Sequence, residues 1–380
     1  MIYLDYNATT PLDPEVRQAM LPYLDEVFGN PASVHSSGRR ARAILDEARE
    51  RTAATLGAKP SEIIFTSGAT EANNLAILGT ARKLREQGKH IITSSIEHHA
   101  VLHPCEYLAN KEGFELTVLP VDSHGAVAPE DLRNALREDT ILVSVMAANN
   151  ETGTIQPAAE IGAICRENGI LYHTDAVHCF GKVPFENIDQ FNADLISICS
   201  HKFYGPKGAG ALFTKSPFYP DPILHGGVQE NERRGGTENL AAIIGLTEAV
   251  ERFIQTPVFP ESKLRSMTGR LLQLVEETDG ATFQGHPENR LCNTLAFSVS
   301  GADSIAMLAG LDMEGICASS GSACTSGSVT PSHVLQAMGV GEDDSSSLVR
   351  ISLGRETTDS EISVFEEKLP LVIRRIRCVG

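Results

Sequence analysis

Lys202 stands where an apolar stretch, Asp194-Leu195-Ile196-Ser197-Ile198-Cys199, runs into the turn-forming Tyr204-Gly205-Pro206-Lys207-Gly208. A lysine at such a junction can place its amine in an interior site, where loss of water favours the neutral, nucleophilic form. Upstream, Tyr172-His173-Thr174-Asp175-Ala176 ends a second apolar stretch on a carboxylate. A lysine that can form a Schiff base and a carboxylate that can hold a pyridinium nitrogen are the two groups pyridoxal phosphate requires of its protein. Taken alone the pair also fits a solvated surface lysine and a structural aspartate, because lysine beside a turn is usually exposed.

Further groups have the residue types that site chemistry uses. Phe65-Thr66-Ser67-Gly68-Ala69-Thr70-Glu71-Ala72-Asn73-Asn74 follows an apolar run and opens a helical pattern. Small residues there let the backbone approach a ligand, and free amides at a helix N-terminus bind phosphate. An ordinary turn capped by Ser67 or Thr70 accounts for the same residues. Ser95-Ile96-Glu97-His98-His99-Ala100-Val101-Leu102-His103 puts two adjacent histidines after another run. His99 and His103 have the i, i+4 spacing of a zinc site, but the glutamate of H-E-x-x-H is missing between them. An imidazole at the C-terminal edge of a parallel strand can instead stack on an aromatic cofactor and move protons near neutral pH. Ala148-Asn149-Asn150-Glu151-Thr152-Gly153 offers amide donors to a phenolic oxygen or a carboxylate, although Asn-rich turns also arise for backbone reasons.

Cys324 lies in Ala318-Ser319-Ser320-Gly321-Ser322-Ala323-Cys324-Thr325-Ser326-Gly327-Ser328. Sequence so rich in Gly and Ser packs poorly and is expected to move. Free cysteines are usually buried and inert, so a thiol in this setting suits carrying a group from one place to another. Two arginines in Val349-Arg350-Ile351-Ser352-Leu353-Gly354-Arg355 can fork onto a carboxylate, and Arg233-Arg234-Gly235-Gly236-Thr237 precedes a helix and can reach a phosphate. For any one of these arginines a surface ion pair is the default.

These residues need a scaffold, and the chain supplies one. Short β-branched runs (62–66, 90–93, 116–119, 141–145, 170–172 and 195–198) alternate with helical patterns such as 158–168. Runs that are apolar throughout suit strands covered on both faces, hence a mostly parallel sheet with crossover helices. This α/β layering lasts to about residue 250, and Thr256-Pro257-Val258-Phe259-Pro260 reads as a kink into a second domain, with a strand candidate at 293–299. With 380 residues and a net charge of −17, the chain has room for two domains, and its charge argues against nucleic acid or an anionic membrane as partner. No apolar run approaches a membrane span, no signal-peptide pattern opens the chain, and the eight cysteines contain no C-x-x-C pair. A reducing cytoplasm is the expected home.

Taken together the motifs resemble the cysteine desulfurases of the class V aminotransferase family, in the long-loop group serving nitrogen fixation and iron–sulfur cluster assembly. The residues that carry the resemblance run nearly end to end: Tyr3–Pro11, Gly29–His35, Ser67–Asn74, Glu97-His98, Asn149–Glu151, Asp175, His201-Lys202, Arg234–Thr237, Ser319–Ser326 and Arg350–Arg355. The resemblance implies the fold type I architecture of pyridoxal-phosphate enzymes: α/β, with a mostly parallel sheet in a large domain (15–255). A smaller α+β domain (1–14 and 256–380) would carry the Cys324 loop. It implies that Lys202 holds the cofactor, Asp175 its ring nitrogen, and that His98 stacks on the ring and moves protons. Ala69, Thr70 and His201 would contact the phosphate, with Thr237 reaching it from the other subunit of a homodimer, and Ser200 would lie among the cofactor-binding residues. Asn150 and Arg350 would hold the substrate carboxylate or a cofactor oxygen, Arg350 being preferred over Arg355. L-cysteine would become L-alanine, its sulfur passing to Cys324 as a persulfide and on to an iron–sulfur scaffold or another acceptor protein. Cys324 would be a transient cluster ligand with such a scaffold.

Two positions depart from the family pattern. His178 replaces the usual glutamine that donates to the cofactor's phenolic oxygen, and Cys199 replaces a serine that donates to phosphate. A thiol is a poor donor, and Ser200 cannot substitute for it in an extended segment, whose neighbouring side chains face opposite ways. Weakened cofactor binding is therefore expected. A selenocysteine lyase or another class V enzyme, or a sulfur- or cluster-holding partner without turnover, are the alternatives.

Overall fold

The computed structural model describes residues 1–321 and 331–377. Its twelve strands are, in chain order, β1 (Ile2–Tyr3), β2 (Ile63–Thr66), β3 (His90–Ser94), β4 (Glu115–Leu119), β5 (Thr140–Ser144), β6 (Leu171–Asp175), β7 (Leu195–Cys199), β8 (Gly210–Thr214), β9 (Ala281–Gln284), β10 (Thr294–Val299), β11 (Ile316–Cys317) and β12 (Val349–Ser352). Seven of them form one sheet in the order β2-β8-β7-β6-β5-β3-β4. Only β8 runs against its neighbours, so β2 to β7 share one direction and their C-terminal ends lie along one edge.

The run-on apolar character of these strands follows from their cover. Every residue of β2, β3, β5, β7 and β8 is buried, as expected where helices close both faces. One face carries a cluster that includes Leu45, Val143, Tyr172, Ile196, Phe213 and Leu246, the other a cluster with Ile64, Leu75, Val101, Leu142, Leu195 and Leu212. Fully burying each such side chain is worth about 1.5–3 kcal/mol, which sets the sheet register against a one-residue slip. A separate apolar cluster joins helices Glu261–Glu277, Ser304–Met313 and Asp359–Arg377 to the antiparallel sheet β12-β10-β9. The N-terminal Leu4 and Tyr6 belong to that cluster, drawn in by β1 pairing with β11 and by a bridge from Asp5 to Ser352.

The β8 strand was not among the sequence expectations. It opens on Gly210 at the end of a glycine-rich turn, and a Cβ at that position would lie 2.7 Å from the Gly68 Cα. The glycine that hides the strand is there because the loop after β2 crosses it in backbone contact.

Candidate functional site

The aligned strand ends build one cavity of about 390 Å³. Asp175 is the last residue of β6, Cys199 the last of β7, and Lys202 closes the 3-10 turn that follows. His98 leads out of β3 as N-cap of helix His99–Glu112, and Ala69 and Thr70 open the helix after β2. Asn150 follows β5, and Arg350 comes from β12 on the far wall. All of these line the cavity, together with His178 and His201. The expectation that ligand chemistry gathers at the carboxyl ends of parallel strands is met here.

Each group is oriented by named partners. The Asp175 carboxylate accepts from Asn73 Nδ2 at 2.7 Å and from the Val177 amide at 3.1 Å, which leaves acceptor capacity toward the cavity. Lys202 Nζ donates to the backbone carbonyls of Asn7 and Ala8, both at 2.8 Å. His98 Nδ1 accepts from the Ala100 amide at 3.0 Å, so only Nε2 remains to face the cavity. Arg350 reaches Asp5 at 2.9 Å and the Asn150 carbonyl at 3.0 Å, while its Nε has no partner among the described residues.

Burial shapes the protonation states. It lowers the Lys202 amine to about 8, helped by the nearby Arg350 guanidinium, so the amine there is a base far more often than an exposed lysine. It also lowers His98, takes His201 to about 4 and drops His178 well below the ordinary imidazole range. Three imidazoles around the cavity are thus neutral at physiological pH. Beneath His98, burial raises the Glu97 carboxyl to about 8, and its Oε1 accepts from Ser94 Oγ and the Met146 amide.

Some expected residues lie elsewhere. Ser200 is not at the cavity: the segment leaves extended geometry for a 3-10 turn, and its buried hydroxyl is spent on the Pro206 and Ala209 carbonyls at 2.5 and 2.9 Å. Thr237 is exposed and away from this chain's cavity. Cys324 lies outside the described residues. Arg355 sits between Asp13 and Glu356 with its guanidinium 4.2 Å from the Tyr204 ring centre, outside the cavity. His99 and His103 stack face to face at 4.7 Å, and no group of three metal-ligating side chains converges among the described residues. Asn7, Asn73, Asp5 and Lys182 have no role legible in the sequence, because each meets a partner remote from it: Lys202, Asp175, Arg350 and Asn7 respectively.

The arrangement defines a class before it defines a member. A family model, aminotransferase class-V, matches residues 2–365, and the chain belongs to that family. It is 48% identical to a cysteine desulfurase IscS of Dictyoglomus turgidum over 380 residues, covering 100% of this chain and 96% of the relative. It is 47% identical to a cysteine desulfurase IscS of Methanosarcina thermophila, covering 99% and 93%. Among solved structures, a NifS-like protein superposes with a TM-score of 0.91 at 36% identity, covering 98% of this chain and 99% of that one. SspA in complex with cysteine does so at 0.82 and 36%, covering 94% and 100%. The fold is that of type I pyridoxal-phosphate enzymes, as the sequence motifs implied, and the cofactor of the family is pyridoxal phosphate. The residues present fit it: a half-buried lysine with a lowered amine, an oriented carboxylate with free acceptor capacity, and a glycine at φ 153° before helical amides.

Proposed function

We propose that the chain is a pyridoxal-phosphate-dependent cysteine desulfurase that converts L-cysteine to L-alanine and takes the sulfur onto Cys324. The observation that carries this reading is the meeting of Lys202, Asp175, His98 and Arg350 in one cavity. When bound, the cofactor supplies a sink for the electron pair left at the substrate Cα. Lys202, once released from it, takes the Cα proton and returns it. Asp175, fixed by Asn73, keeps the proton on the ring nitrogen. Arg350 and Asn150 hold the substrate carboxylate, and Ala69, Thr70 and His201 hold the phosphate. His98 exchanges protons through Nε2 near the substrate sulfur. The Cys324 thiolate attacks that sulfur, so that an S–S bond forms as the Cβ–S bond breaks. The electron pair stays with the three-carbon fragment, which takes up protons and leaves as alanine.

The same reading assigns residues 15–255 to a cofactor domain and 1–14 with 256–380 to a smaller one, a division supported by the separate apolar clusters. A homodimer in which Thr237 reaches the partner's phosphate, a cytoplasmic home and an iron–sulfur scaffold as sulfur acceptor complete it. No helix among the described residues is long and apolar enough to cross a membrane.

The primary test measures alanine and sulfide from L-cysteine, with pyridoxal phosphate and a reductant, for wild type and Cys324→Ser. Matched products that vanish in the variant support the reading. Equal activity in both points to a lyase, and no turnover despite a cofactor band points to a degenerate partner. Arg350→Gln is expected to raise KM for cysteine about 30-fold, the value of a lost charge-assisted pair, while Arg355→Gln leaves it within about twofold. Cys199→Ser, which restores a phosphate donor, is expected to tighten cofactor binding about 10-fold in a titration of cofactor-free protein. Unchanged affinity would show that the Cys199 position does not meet the phosphate.

A further inference from the structure

Lys182 is a buried lysine that the reaction does not use. It is 2% exposed, its ammonium lies 5.2 Å from the Phe259 ring centre, and its hydrogen-bond partners among the described residues include no carboxylate. Its Nζ lies 2.6 Å from Asn7 Oδ1 and 3.2 Å from His178 Nδ1. The Asn7 amide cannot be turned around. Its Nδ2 faces the Asn150 carbonyl and Thr294 Oγ1, and its Oδ1 accepts from Asn293 Nδ2 as well as from Lys182. Lys182 is therefore a donor to Asn7. Burial lowers its amine to about 7, and in the charged form that prevails below that pH it can only donate to His178 too.

By the family resemblance His178 takes the place of a glutamine, an amide donor, and an imidazole at that place has a problem that an amide lacks. Glutamine always presents an N–H, whereas a neutral imidazole presents one only in the right tautomer. With Nδ1 turned to Lys182, the Nε2 side of the ring is left to the cavity, and Nε2 has no partner among the described residues. We propose that Lys182 is a positioning residue: by donating to Nδ1 it holds His178 as the tautomer whose Nε2–H serves the cavity. A histidine then does the work of a permanent donor to the cofactor's phenolic oxygen. The Lys182, Lys202 and Arg350 charges around it also keep the ring from taking a second proton. With Lys182 charged, the opposite tautomer would set Nδ1–H against the ammonium and a lone pair against the phenolic oxygen, so both ends of the ring favour the same state.

The inference rests on the pyridoxal-phosphate reading of the cavity, but its test begins without the cofactor. Protein with ring-¹⁵N histidine is examined by NMR at about pH 6, where Lys182 is charged and His178 still neutral, in the cofactor-free state, His178 being assigned by its loss in His178→Gln. Wild type is expected to show Nε2 protonated and Nδ1 bare, and Lys182→Met to gain the Nδ1–H form. A bare Nε2 in wild type, or an unchanged spectrum in Lys182→Met, overturns the proposal; if that variant does not fold, the wild-type spectrum alone decides. In the loaded protein, Lys182→Met should shift the visible cofactor band when residue 178 is His and leave it in place when it is Gln. An equal shift in both backgrounds means that Lys182 acts only through its charge, which also overturns the proposal. Absence of any cofactor band in every variant would sink the cavity reading, while the tautomer would still be decided by the NMR spectra of the cofactor-free protein.

Discussion

Lys202→Ala is expected to fold, to lose the visible band of covalently held cofactor, and to turn over L-cysteine at least about a thousandfold more slowly. The loss is large because one amine does two jobs at one place. It must bond to the cofactor, and it must then stand free beside the substrate Cα as a base. Burial suits both, since an amine lowered to about 8 gives up its proton far more readily than an exposed lysine. Stability should change little. The lysine contributes two hydrogen bonds to backbone carbonyls of Asn7 and Ala8, against the desolvation of its own charge. Lys202→Arg should fail as badly, because a guanidinium keeps its proton and forms no Schiff base. Absorbance spectra and alanine release, set beside a thermal melt, separate these effects. Turnover within about tenfold of wild type in either variant would remove Lys202 from the mechanism.

How much of the site is legible in the sequence follows from where the interactions run. Asp175, Cys199 and Lys202 can be placed because each ends an apolar run, and the end of a run is visible in a single stretch of sequence. His98 and Asn150 are legible in the same way. Asn73, which orients Asp175, looks like any other polar residue of its loop, because its partner lies 102 residues away. Asp5, which holds Arg350, lies 345 residues from it. Lys182 sits in Gly181-Lys182-Val183-Pro184, and as lysine is a residue type almost never fully buried, nothing local marks it; Phe259 and Asn7 arriving from elsewhere enclose it. The preference for Arg350 over Arg355 has a physical correlate: Arg350 lies on a strand facing the cavity, while Arg355, just past its end, turns onto Tyr204. Ser200 stays off the cavity as the extended-strand argument expects, but a 3-10 turn starting one residue past Cys199, not strand alternation, turns it away.

Glu230→Gln is expected to lower stability by about 3–5 kcal/mol, the penalty for leaving one partner of a buried ion pair unmatched. Glu230 meets the Arg49 guanidinium in a two-pronged contact at 2.6 and 2.7 Å, and its Oε2 also accepts from the Phe65 amide at 2.9 Å. The Arg49 side chain is only 9% exposed and Glu230 1%, so water cannot replace the lost charge. The pair holds an unfavourable backbone. Glu230, Asn231 and Glu232 all have left-handed φ, at 49°, 56° and 65°, and such residues cost about 1–2 kcal/mol each when not glycine. The next turn sends Arg234 onto Glu71 at 2.7 Å, and Glu71 in turn accepts from the Ser67 amide at the cavity mouth. Loss of the Arg49 clamp should therefore loosen the turn ahead of the helix that Ala69 and Thr70 open and weaken cofactor binding as well as the fold. A melt of cofactor-free protein should show a fall on the order of 5 °C or more. Arg49→Met combined with Glu230→Gln should recover part of that loss, since no guanidinium is then stranded. If the double variant is as unstable as the sum of the two singles, the clamp is not acting as a charge pair, and the left-handed turn must be held by packing alone.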